Sequence, residues 1–97
     1  METYVILRRR AWRTSAGARE AIGRARAESK RMSEEIMWIR SYILDESDRT
    51  MGSVCIFEAA SPEAVRRHAA AADLPIDEIV MVADTIVVRP DPAAHAA

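Results

Sequence analysis

Cys55, Glu58 and His68 lie within the fourteen residues "CIFEAASPEAVRRH". A thiol, a carboxylate and an imidazole are the groups from which nucleophilic, acid–base or metal chemistry is assembled. Cys55 is the chain's only cysteine and stands between Val54 and Ile56. A catalytic thiol needs exposure and a basic or positive neighbour, so a strand cysteine in that setting reads as a small buried hydrophobe. His68 is the one internal group whose ordinary pKa lies near neutrality, which makes it the candidate proton carrier, with Glu58 as its candidate base. The only other histidine, His95, is followed by just two residues of the sequence, and no CxxC, HxH or HExxH spacing occurs. Clustered ligands of that kind mark most protein metal sites. The residues therefore predict neither a metal site nor a cofactor.

A second group has more geometric content. In "WIRSY", Trp38, Arg40 and Tyr42 alternate, so a strand through them turns all three to one face. With Glu58 from the following strand they form a candidate ligand site. Aromatic walls would surround it, with Arg40 holding an anion and Glu58 orienting it; apolar pockets with a few convergent polar groups are the usual form of small-molecule sites. The run "RRRAWR" raises the question of nucleic acid. The third strand, however, offers Val54, Ile56 and Glu58 rather than the basic-aromatic pattern of sheet-type RNA binders. No nucleic-acid partner is expected, and the run reads as a solvated edge or an anion-binding loop.

These residues must be positioned by a small scaffold. Ninety-seven residues, 49% hydrophobic and 30% charged, suit one folded domain. We read it as residues 1–92, with 93–97 as a flexible tail. A lone cysteine cannot close an internal disulfide, no segment approaches a membrane span, and the amino terminus lacks the charge-then-apolar order of a leader. The expected location is cytoplasmic, with no membrane partner. Basic residues crowd the first 31 positions, nine against three acidic, while the remainder has five against twelve; the simplest consequence is attraction between the two halves within one fold.

"TYVILRR" predicts a strand, and Thr14 or Ser15 can cap a helix to about Ser33. "IMWIRSYILD" and "SVCIFEA" predict a hairpin around "DESDRTMG". Ser61, Pro62 and Glu63 open a second helix, and "DEIVMVADTIVVRP" predicts a long last strand with a bend near Asp84. The order strand, helix, strand, strand, helix, strand predicts an α+β ferredoxin-like βαββαβ sandwich: a four-stranded antiparallel sheet with two helices on one face. Charge matching suggests a register with Arg40 opposite Glu58, Tyr42 opposite Ile56 and Leu44 opposite Val54. The helix side would then pair Ile43 with Cys55, Ser41 with Phe57 and Ile39 with Ala59. The uncovered face would carry Trp38, Tyr42, Leu44, Val54 and Ile56, together with Tyr4 and Ile6. An apolar face of that size predicts a homodimer packed sheet to sheet.

At "WIRSYILD", "GSVCIFEAASPEAVRRHAAAADLPIDEI" and "VVRP" the chain resembles an uncharacterised family, a domain of unknown function, of small ferredoxin-like proteins that includes a nickel-binding protein. The pattern "EA", a short gap, "EA", then histidine and a Leu-Pro turn carries the resemblance. It implies the fold above, of the dimeric α+β barrel type, pairing of chains through their sheets, and a role in binding a metal or another ligand. The relative's histidine-rich amino terminus corresponds here to "LRRRAWRTS", which has arginine and no histidine. The leading expectation is a small homodimeric ligand-binding or accessory protein. The alternatives are a cofactor-independent enzyme acting on a small organic molecule and a nickel-binding protein.

Overall fold

The computed structural model describes residues 1–90 and 92; His95 and the predicted tail lie outside the described residues. The elements follow the order β1 (Glu2–Trp12), α1 (Ser15–Arg31), β2 (Ile36–Asp45), β3 (Met51–Ala59), α2 (Pro62–Ala71) and β4 (Glu78–Met81). The four strands form one sheet in the order β2-β3-β1-β4, with every neighbouring pair antiparallel. This is the ferredoxin-like βαββαβ fold.

Local chemistry sets the helix ends. The Thr14 hydroxyl accepts from the Gly17 N–H at 3.0 Å, and the Ser61 hydroxyl accepts from the Ala64 N–H at 3.1 Å. Each capping bond satisfies a donor that the first helical turn leaves over. Pro62 begins α2, where its missing N–H is no loss. Helix α1 buries only alanines, Ala18, Ala21 and Ala25, so it lies close to the sheet but covers little of it. The core is built by Tyr4, Ile6, Ile36, Phe57, Ala59, Ala64 and Val65. Trp38 stacks on Phe57 with ring centroids 5.8 Å apart, and His68 meets Phe57 edge-on at 5.2 Å.

Three expectations about the sheet need correction. The β2–β3 register differs from the charge-matched one: Arg40 stands opposite Ile56, Tyr42 opposite Val54, Ser41 opposite Cys55 and Ile43 opposite Ser53. Glu58 faces Met37 instead. Between Trp38 and Arg40 the register shifts by one residue, a bulge. Such an insertion breaks the alternation, so Trp38 pairs with Phe57 on the helix side while Arg40 and Tyr42 keep the open face. Ile39 falls at the break and stays exposed.

Tyr4 and Ile6 also face the helices. Val5, opposite Ile56 on one side and Val80 on the other, takes the open face with Leu7 and Val54.

The last strand is short. Val82 donates to the Thr3 carbonyl at 2.8 Å, one residue from the Glu2 end of β1. Residues 83–90 pair with no strand. The bend expected near Asp84 falls instead at Val88 and Arg89; the Asp84 carboxylate accepts from the Thr85 N–H at 2.8 Å. Residues 85–90 then run on outside the sheet.

The charge asymmetry is largely consumed inside the fold. Arg9 pairs with Glu46 at 2.7 Å and Arg10 with Asp48 at 3.3 Å, while Arg24 donates to the Ala72 carbonyl at 2.8 Å. Arg10 takes φ 50°, a left-handed kink beside the β1 register shift, and its N–H donates to Glu46 Oε2 at 2.9 Å. The first two links of "RRRAWR" beyond Arg8 are therefore a structural lock rather than a free basic patch.

Candidate functional site

The open face carries Arg40, Tyr42, Ile56 and Glu58 around a cavity of about 610 Å3, whose other wall is the segment Thr85–Pro90. Three of the four residues expected to hold a ligand are thus brought together. The fourth, Trp38, lies on the opposite side of the sheet. The cavity combines an aromatic ring, aliphatic side chains, the guanidiniums of Arg40 and Arg89 and a carboxylate, which suits a small molecule with polar and apolar parts.

His68 is not part of this cavity. It is almost fully buried in α2, and its Nε2 lies 2.9 Å from the Ala25 carbonyl and 3.0 Å from the Ser29 hydroxyl. A carbonyl can only accept, so Nε2 carries the proton of the neutral ring. Burial lowers the pKa below the ordinary 6.5, and the charge on Arg8 acts in the same direction. The imidazole ties α2 to α1. Glu58 and His68 lie on opposite faces of the sheet, so one subunit does not present both to the same molecule.

Cys55 is buried, as a strand cysteine in apolar company should be. Its surroundings are unexpectedly polar: Arg8 Nη1 donates to Cys55 Sγ at 3.3 Å, and the thiol lies 3.7 Å from the Ser53 hydroxyl. Arg8 is 2% exposed, and burial lowers its pKa below the usual arginine value. Reading the sequence for chemistry missed Arg8 entirely. The signal was present in the two-residue period Tyr4, Ile6, Arg8, which puts all three on one face.

Among the described residues, no group of three or more His, Cys, Asp or Glu is placed to hold a metal ion. Cys55 faces a guanidinium, which repels a cation, and the protonated Nε2 of His68 is already bonded. The donor set described does not fit a nickel site, since late divalent metals need several free nitrogen or sulfur donors.

The family model described as "Nickel responsive protein SCO4226-like" matches residues 4–82. Among solved structures, the chain is similar to SCO4226 from Streptomyces coelicolor A3(2), at 24% identity and a TM-score of 0.69 over 87% of this chain and 99% of that one. A further match is SnoaB, a cofactor-independent oxygenase from Streptomyces nogalater, at 14% identity and a TM-score of 0.45 over 93% and 100%. No curated protein sequence matches.

Proposed function

Because the chain belongs to the SCO4226-like family, we propose that it is a small homodimeric binding protein of the dimeric α+β barrel type. In this reading two open sheet faces pack together, and a small-molecule ligand occupies the cavity beside Arg40, Tyr42 and Glu58. One observation carries the reading. The segment that leaves β4 exposes Ile86, Val87 and Val88 at 85%, 74% and 86%, beside a sheet face that itself presents Tyr42 and Val80 to water. Contiguous apolar surface of this kind marks an interface. A domain of this size also buries little core of its own, at ~25 cal/mol per Å2 of apolar surface removed from water. An isologous contact uses the same patch twice and closes on itself. The free Cys55 thiol agrees with the reducing cytoplasm in which we place the protein.

The family's printed description concerns nickel. For this chain we favour an organic ligand, because the polar side chains lining the open-face cavity among the described residues are the two guanidiniums of Arg40 and Arg89, hydroxyls and the one carboxylate of Glu58. The enzyme reading is less supported, since it needs Glu58 and His68 to act on one molecule from opposite faces of a sheet. Ile56→Glu puts a charge at the centre of the open face without entering the helix-side core. Light scattering should show this variant as a folded monomer, with circular dichroism unchanged from the parent. A variant that still pairs at the parent's affinity would show that the open face is not the interface.

A further inference from the structure

Arg8 is the largest fully buried side chain in the fold and lies between sheet and helices, where a small protein usually places an aliphatic residue. Its Nε donates to the Pro75 carbonyl at 2.7 Å and its Nη1 to Cys55 Sγ. No ion pair among the described residues includes it. The nearby Asp77 carboxylate is bonded to the Arg9 N–H instead. Nη2 has no bonding partner among the described residues, yet no fully buried side-chain nitrogen is left unsatisfied. Nη2 therefore faces open space.

Arg8 lines a void of about 20 Å3, walled also by Trp12, Trp38 and Phe57 and by the polar residues Ser41 and Ser53. It has room for roughly one water molecule. Next to it, between α1 and β2, runs an open groove of about 640 Å3. The two share Ile22, Trp38, Ser41 and Ile43 as a common wall. Among the described residues, no carboxylate lines either one. Arg26 and Lys30 edge the groove, and neither is in an ion pair among the described residues.

We propose that this is a second binding site, on the helix side of the sheet, for an organic monocarboxylate with a flat apolar body. The carboxylate sits on Arg8 and the body lies along Trp38 in the groove. A single buried cation is neutralised by one negative charge, whereas a dianion would leave a buried excess. A planar guanidinium matches a carboxylate with two parallel N–H bonds. The isoleucines and the indole supply the apolar wall, and Arg26 and Lys30 raise the local concentration of anions at the mouth. Trp38 is the door. It stands at the β2 bulge and is held by its stack on Phe57 and by one bond, from Nε1–H to the Ser41 hydroxyl at 2.8 Å. Because the inner void is as small as one water, the head group enters only when the indole swings outward. The site shares nothing with the dimer reading except Ile39 and Arg40, which border both the groove and the open-face cavity.

Titration of the whole chain with benzoate, phenylacetate and cinnamate tests the proposal, followed by tryptophan fluorescence and by thermal shift. At least one of the three should bind saturably, change the indole emission and raise Tm, while its neutral amide binds at least tenfold more weakly. Arg8→Met should fold with an unliganded Tm equal to or above the parent's, because a buried charge has been removed, and should bind at least tenfold more weakly. Ile43→Glu is a surface change, since Ile43 is 43% exposed. It puts an opposing charge at the groove and should weaken binding even if Arg8→Met does not fold. No saturable binding by any of the three acids, equal binding of the amides, or binding that survives Ile43→Glu would overturn the proposal.

Discussion

Two glycine-to-alanine substitutions should move stability in opposite directions. Neither Gly23 nor Gly52 has a positive φ, so backbone strain does not distinguish them. Space does. A Cβ built on Gly23 meets nothing within 4 Å. This glycine lies inside α1, where alanine is favoured by up to ~1 kcal/mol. A Cβ on Gly52 would overlap the Arg8 carbonyl oxygen and stand 2.7 Å from Glu46 Oε2 and 3.3 Å from Arg9 Cα. The carbonyl belongs to the neighbouring strand and cannot rotate away. The carboxylate is held in turn by Arg9 Nε and the Arg10 N–H, both at 2.9 Å. Relief requires β1 and β3 to separate near their register shift, with loss of the Glu46 bonds, and forced overpacking of this kind costs about 3 kcal/mol. Thermal unfolding at one fixed protein concentration should show Gly23→Ala gaining about 4 °C and Gly52→Ala losing roughly 12 °C or more. Equal and small shifts for the two variants would refute the packing described at Gly52 and the seat it gives Glu46.

Other consequences can be measured separately. The Arg9 guanidinium and the Arg10 N–H hold the Glu46 pKa down to about 2. The stability this contributes is full above the ordinary carboxylate pKa of 4.5 and is lost as pH falls toward about 2. Urea unfolding of the parent from pH 5 to pH 2 should show that loss, and Glu46→Gln should flatten it; parallel curves would contradict the assignment. Burial lowers the His68 pKa, so the unfolded chain binds the extra proton first and stability falls as pH drops below 6.5. The His68 ring protons should titrate by NMR with a midpoint below 6.5, and a midpoint above it would show a charged ring in the folded state. Phe57→Ala removes the stacking partner of both Trp38 and His68 and should cost ~3–5 kcal/mol in chemical denaturation; a cost below ~1 kcal/mol would mean that this core is loosely packed. Calorimetry with nickel on tag-free protein should show no tight stoichiometric site, and finding one would reverse the preference for an organic ligand.

The order of elements was legible because its signals are local. Ser61, Pro62 and Glu63 announce α2 through their own backbone chemistry, and "IMWIRSYILD" is too β-branched and aromatic to be much else. Facing was harder. Strand β1 is apolar on both sides, with Tyr4 and Ile6 on one face and Val5 and Leu7 on the other, so no pattern tells inside from outside. The β2 bulge adds one residue between Trp38 and Arg40; an argument from strict alternation necessarily misplaces whatever lies on one side of it. Charge matching of Arg40 with Glu58 then favoured a wrong register, because a surface pair contributes less than the packing of Trp38 on Phe57 and Ile36 beside Ala59. The last strand was overextended for a different reason. Its residues suit a strand, but β1 ends before they can pair. In the candidate site, Arg40, Tyr42 and Glu58 could be grouped from the sequence. Arg8 could not be separated from Arg9 and Arg10 without knowing which way the strand faced.

If the apolar sheet face and the unpaired Thr85–Pro90 segment exist to meet a twin, association must be a property of the unmodified chain alone. Sedimentation velocity at micromolar concentration should therefore give a single species of twice the chain mass. A species of one chain mass that does not grow with concentration would contradict the account.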